Sequence, residues 1–215
     1  MARPISTAPL ERAPDDPQAI GAMSSDLFSL GRAGEQIGWA RRLTEHDPLQ
    51  SSGWNSLGNA YCFAGRFEEA DRAFLRGLEV DPGAEVVLRN RGLCLVRAGH
   101  AAEGLQLCLD PTAENGCRAF AYYALGQVAE AERTLDVLRA GATGNRVYFV
   151  ARIYAAFGKK DEAFAWLERA RAEHVRALNS LLASPELRSL HSDPRWEELL
   201  REMNLPVAPE SSAHP

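Results

Sequence analysis

Residues 51–82 read SSGWNSLGNAYCFAGRFEEADRAFLRGLEVDP. This stretch constrains the fold more than any other feature, because it is the best copy of a pattern that recurs along the chain. Trp54, Leu57, Gly58 and Tyr61 open it, Ala70, Phe74 and Gly77 follow, and Asp81-Pro82 closes it. Composition agrees with a helical unit. The chain holds 34 Ala and 26 Leu but only 19 β-branched residues, and mixtures of that kind favour helix over strand.

The pattern resembles the tetratricopeptide repeat, W-x2-L-G-x2-Y, then A-x3-F, then P, over 34 residues. Sliding the same frame along the chain places an inter-helix glycine at Gly31, Gly65, Gly99, Gly126 and Gly158. Units are expected at 17–50, 51–84, 85–111, 112–143 and 144–177, with Asp-Pro closures at Asp47-Pro48, Asp81-Pro82 and Asp110-Pro111. The resemblance implies an all-α, right-handed α-solenoid of about five helix pairs. Residues 1–16 and 206–215 are rich in Pro and poor in large apolar side chains, and are expected to stay disordered.

The spacing makes physical sense beside the resemblance. Two helices that cross closely need small side chains at the crossing. The eighth residue of each unit is Ser24, Gly58, Gly92, Ala119 or Ala151, and the twentieth is Ala70, Gly104, Ala131 or Ala163, with Gln36 the one exception. Large residues at the eleventh position, Leu27, Tyr61, Leu95, Tyr122 and Tyr154, bury against the neighbouring unit. One pair cannot bury its apolar face alone, so the units stack. The third unit is seven residues short, which predicts a second helix over about His100–Leu109 that loses nearly two turns. Arg91 and Arg118 stand where a bulky apolar residue is usual, and must reach solvent or a carboxylate.

Residues 178–205 form a capping segment. Asp193-Pro194 reads as an N-cap with Pro at the first helical position, and Trp196, Leu199, Leu200 and Met203 share one helical face over about 193–203. The phrase Leu190 to Trp196 is similar to the tail behind such repeats in bacterial nucleotide cyclases, protein kinases and winged-helix regulators. That likeness implies a regulatory module as an alternative function.

No catalytic motif emerges. Gly158-Lys159-Lys160 lacks the glycine and the Ser/Thr of a phosphate loop. The histidines, His46, His100, His174, His191 and His214, show no metal spacing, and no cofactor is implied. Cys62, Cys94, Cys108 and Cys117 form no C-x-x-C pair and read as reduced thiols of a cytoplasmic protein. Cys94 and Cys108 are placed to approach each other, and a thiol redox role is the least favoured alternative. A net charge of −5 and a pI near 5.6 give no pull towards nucleic acid or anionic membrane. No apolar run is long enough to span a bilayer, and the N-terminus lacks a secretory signal.

The resemblance implies that first helices line a concave groove for a protein or peptide partner, in a scaffold without catalysis of its own. Carried over by unit position, the groove residues are Asn55, Asn59, Arg89, Asn90, Tyr123, Tyr148 and Arg152. Asn side chains both donate to and accept from a peptide main chain. Asn59 and Asn90 match two members of the family's clamp for chaperone C-termini. Asn55, Ala113 and Cys117 stand where its basic members belong, which disfavours that ligand.

Overall fold

In the computed structural model, which describes residues 15–108 and 116–207, the chain is a stack of helix pairs. They are α1 (Pro17–Ser29) with α2 (Ala33–His46), α3 (Ser51–Phe63) with α4 (Phe67–Val80), and α5 (Glu85–Arg97) with α6 (Ala101–Leu107). Then come α7 (Cys117–Ala124) with α8 (Val128–Ala140) and α9 (Asn145–Ala156) with α10 (Lys160–Ala172). Two 3-10 turns, Arg176–Ser180 and Pro185–Leu190, precede a last helix, α11 (Pro194–Glu202). The described residues contain no strand, and none of their helices is long and apolar enough to cross a membrane. The expectations for 1–14, 208–215 and the Asp110-Pro111 closure lie outside the described residues.

One local device makes every pair. Gly31, Gly65, Gly99, Gly126 and Gly158 all adopt positive φ, between +69° and +91°, a region open to glycine because it has no Cβ. The residue after each glycine then returns its N–H to the carbonyl five residues back. Arg32 donates to Leu27, Arg66 to Tyr61, His100 to Leu95, Gln127 to Tyr122 and Lys159 to Tyr154, each at 2.9 Å. These bonds satisfy carbonyls that a helix end leaves open and turn the chain back on itself. The eleventh residue of each unit thus supplies the acceptor of the turn as well as a large side chain.

The small positions meet as the spacing requires. A Cβ on Gly58 would stand 2.6 Å from the Phe74 ring, and Ala70, Ala131 and Ala163 are fully buried. The crossing in the short third pair is as close, and there it is backbone that stands in the way. A Cβ on Gly104 would lie 2.6 Å from the Gly92 carbonyl oxygen and 2.8 Å from Val96. The helix α6 has 7 residues against 14 in α4, so the missing residues come out of its length. Arg91 finds the carboxylate the sequence demanded, bonding Asp71 at 2.7 Å, and Arg118 bonds the Tyr122 hydroxyl at 3.1 Å.

The cysteines correct the reading of reduced thiols. Cys62 pairs with Cys94 and Cys108 with Cys117 as disulfides, at Cα separations of 5.8 and 5.7 Å. Cys94 and Cys108 do not pair with each other. Cys62 and Cys94 lie on α3 and α5, first helices that pack side by side in neighbouring units. Cys108 ends the short α6 and Cys117 begins α7, so shortening the third unit brings them together. Cysteine usage therefore no longer argues for a reducing compartment.

The cap closes the far end. Asp193 accepts from the Arg195 N–H at the start of α11, and Trp196, Leu199 and Leu200 join one apolar cluster with Phe164 and Leu167 of α10. Arg195 ties the two helices together, bonding Asp161 at 2.9 Å and lying over the Phe164 ring. Trp196 is only 4 % exposed, so Trp196→Ala should cost about 3–5 kcal/mol in urea unfolding, the usual toll for emptying a buried aromatic site. Gly104→Ala should cost about 1–3 kcal/mol by the same measurement, because the new methyl meets backbone that cannot step aside.

Candidate functional site

The first helices α1, α3, α5, α7 and α9 present the candidate groove. Asn55 and Asn59 sit one turn apart on α3, on one face. Asn90 on α5 reaches back to that face and donates from Nδ2 to Asn55 Oδ1 at 3.0 Å. The two amides therefore form one polar patch across neighbouring units, with Arg89 partly exposed beside Asn90 in sequence. Asn59 lines a separate cleft of about 390 Å³ with Ser24, Phe28, Gln36 and Ser56. Tyr123 is 38 % exposed and stacks on Phe157, the ring centroids 4.2 Å apart.

The other two groove residues have a different environment. Tyr148 is fully buried and Arg152 is 4 % exposed, because the segment 176–190 lies across them. Within that segment Leu178, Leu181, Leu187 and Leu190 are buried, and its polar groups bond the first helices. The Tyr148 hydroxyl and Ser184 Oγ are 2.6 Å apart, the Ser189 hydroxyl donates to the Ala155 carbonyl, and the Ala177 N–H donates to Asn145 Oδ1 at 3.1 Å. Its reach extends to the first pair, where a Cβ on Gly31 would stand 2.9 Å from the Leu182 carbonyl oxygen.

Glu186 anchors this segment. Its Oε1 accepts from Arg97 Nε and Nη2 at 2.9 and 2.6 Å, and its Oε2 accepts from Arg152 Nε and Nη2 at 3.2 and 2.9 Å. Arg97 comes from α5 and Arg152 from α9, so one carboxylate joins the third and fifth pairs. The Phe63 ring lies under Arg97 at 4.6 Å and Phe149 is 5.2 Å from Arg152, which shields the trio from water. Burial by itself would raise the Glu186 pKa, but Arg152 and Arg97 outweigh it and hold the carboxyl at about 2. Burial also pushes the Tyr148 phenol up, so it stays a neutral hydroxyl beside Ser184.

Position in the repeat did not disclose Arg97, Ser184 or Glu186. Arg97 ends α5, where a basic residue commonly faces the helix dipole, and Glu186 looks like an ordinary first-turn acid after Pro185. One signal was present. Five leucines within 178–190, broken by Ser184-Pro185, cannot form a single amphipathic helix and must cover something else.

Because the folded-state pKa of Glu186 lies below its ordinary value of 4.5, folding favours the ionised form. Its contribution is complete above about pH 4.5 and is lost as the pH falls towards 2. Glu186→Gln should cost about 3–5 kcal/mol near neutral pH, since it strands two buried guanidiniums, and urea titrations should show wild type and variant converging over that acid window.

Models of the tetratricopeptide repeat match residues 51–83 and 150–185. Small glutamine-rich tetratricopeptide repeat-containing protein 2 of Mycosarcoma maydis is 27% identical over 107 residues, which are 50% of this chain and 30% of that protein. The match thus spans under a third of that relative's length. Among solved structures, Pseudomonas aeruginosa pilF is 18% identical with a TM-score of 0.47, covering 80% of this chain and 82% of its own. YrrB, described as a TPR protein with an unusual peptide-binding site, is 16% identical with a TM-score of 0.47, covering 82% and 96%. Two units, 51–83 and 150–185, thus match the tetratricopeptide repeat directly, so the chain contains tetratricopeptide repeats, and among the described residues the structure shows the same glycine-turned helix pair five times.

Proposed function

We propose that this chain is a non-catalytic protein-interaction scaffold that holds a partner's peptide segment in the concave groove, over the first two to three helix pairs. The observation that carries the reading is that first helices α5 and α9 already hold a segment of the chain itself, residues 176–190, through a carboxylate, hydroxyls and leucines. A surface that orders a short segment of 3-10 turns in this way has the chemistry to order another. Tyr148 and Arg152 serve the chain's own segment, and the part left for a partner is the Asn55–Asn90 amide patch with Arg89 next in sequence, and Asn59 at the neighbouring cleft, while Tyr123 lies further along on α7. Side-chain amides suit a peptide main chain because each offers a donor and an acceptor without a net charge.

A peptide library displayed on phage and selected on the full chain tests this. Asn59→Ala/Asn90→Ala should weaken the selected peptides ten- to a hundredfold, as two lost hydrogen bonds of about 0.5–1.5 kcal/mol each imply. Helicity and the urea midpoint should hardly change, because both residues are partly exposed. Retained affinity in a folded double variant would move the binding surface elsewhere, most simply to the convex second helices.

A further inference from the structure

Gln36 breaks the rule of small residues at the crossing, and it does so with an unmet polar group. The equivalent residues Ala70, Gly104, Ala131 and Ala163 bring no polar side chain to their crossings. Gln36 is 5 % exposed, and its Oε1 is buried with no hydrogen-bond partner. Leaving a buried carbonyl unpaired is costly, and an alanine here would avoid the cost. Gln36 also lines the cleft of about 390 Å³ that α1, α2 and α3 enclose, together with Ser24, Phe28 and Asn59. The last torsion of a glutamine is broad, so the amide can turn its carbonyl towards that cleft.

We propose that Gln36 is a ligand-recognition residue, and that the cleft takes the main chain of a partner peptide with a backbone N–H donated to Gln36 Oε1. This rests on the groove reading above and gives the groove a specific inner subsite. Charge selects the ligand class. Among the described residues no charged side chain lines the cleft, so a cationic donor would lose its hydration without a counter-charge, whereas a peptide N–H is neutral. Continuity selects a peptide over a small molecule. Ser25 and Phe28 line this cleft and also the neighbouring one formed with Arg176, Ala177 and Asn179 of the chain's own groove-filling segment. A partner segment laid in the cleft extends the track that 176–190 already occupies. Serines at 24, 25 and 56 line the same cleft and bring hydroxyls that can donate to or accept from a peptide main chain.

The test uses the phage-selected peptides and two variants of the full chain. Gln36→Ala removes the amide and the unmet carbonyl, and Gln36→Met keeps the length of the side chain while removing the amide alone. Both should weaken binding about five- to fiftyfold, and neither should lower the Tm of the free chain by more than about 2 °C, because the amide has no partner to lose there. Selected sequences should share a short uncharged run. Unchanged affinity in either variant overturns the proposal, and so does wild-type affinity in Gln36→Met alone, which would make the side chain a space-filler. Selection of Lys- or Arg-rich peptides that bind independently of Gln36 overturns it too. Peptides that respond to Asn59→Ala/Asn90→Ala but not to the Gln36 variants would leave the groove reading standing and remove only this subsite.

Discussion

The close crossing of two helices inside each pair is the constraint on which the rest of the structure depends. At Gly58 and Phe74, and at Gly92 and Gly104, the separation leaves no space for a further carbon. Dispersion and apolar burial between helices are strong only at such distances. The turn glycines enforce the approach by sending the chain back through positive φ, and the bond to the eleventh residue's carbonyl fixes the angle. Each pair is then a flat apolar slab with two faces, and stacking the slabs is the way to cover them. The shortened α6 keeps its crossing because that lies in its first turn, at Gly104.

Stacking leaves one side lined by first helices, and the chain treats that side unevenly. Towards the fifth pair it is closed by 176–190, with Glu186 shared by Arg97 and Arg152. A buried trio of charges is seldom a large net source of stability against an apolar alternative. Its effect is on register, since any shift of the segment would strand one carboxylate and two guanidiniums away from water. Towards the first and second pairs the same side keeps amides and hydroxyls, with one carbonyl unpaired at Gln36. A single surface thus carries an occupied half and an open half, and the two differ in charge as well as in occupancy.

Much of the helical frame was legible because its signals are local. A glycine at a helix end, small residues at the eighth and twentieth places, and Asp193-Pro194 before an apolar stripe each specify geometry within a few residues. The candidate site was legible only in part. Asn55, Asn59 and Asn90 follow from repeat position, and the structure does bring Asn55 and Asn90 together at 3.0 Å. Tyr148 and Arg152 follow from the same rule, yet they lie beneath the chain's own segment. Repeat position tells which way a first-helix residue faces, and carries nothing about what arrives from 34 residues downstream to meet it.

By itself the sequence determined the all-α class, the glycine-turned pairs, the short sixth helix and the capping helix, because helix propensity, crossing size and capping act over one or two turns. Tertiary structure alone decided which cysteines pair, that 176–190 packs on the first helices, and that Glu186 joins Arg97 to Arg152. Those contacts join residues as much as 89 positions apart. Their partners are set by the small rotation accumulated from pair to pair, a quantity that no single repeat encodes and that only the assembled stack possesses.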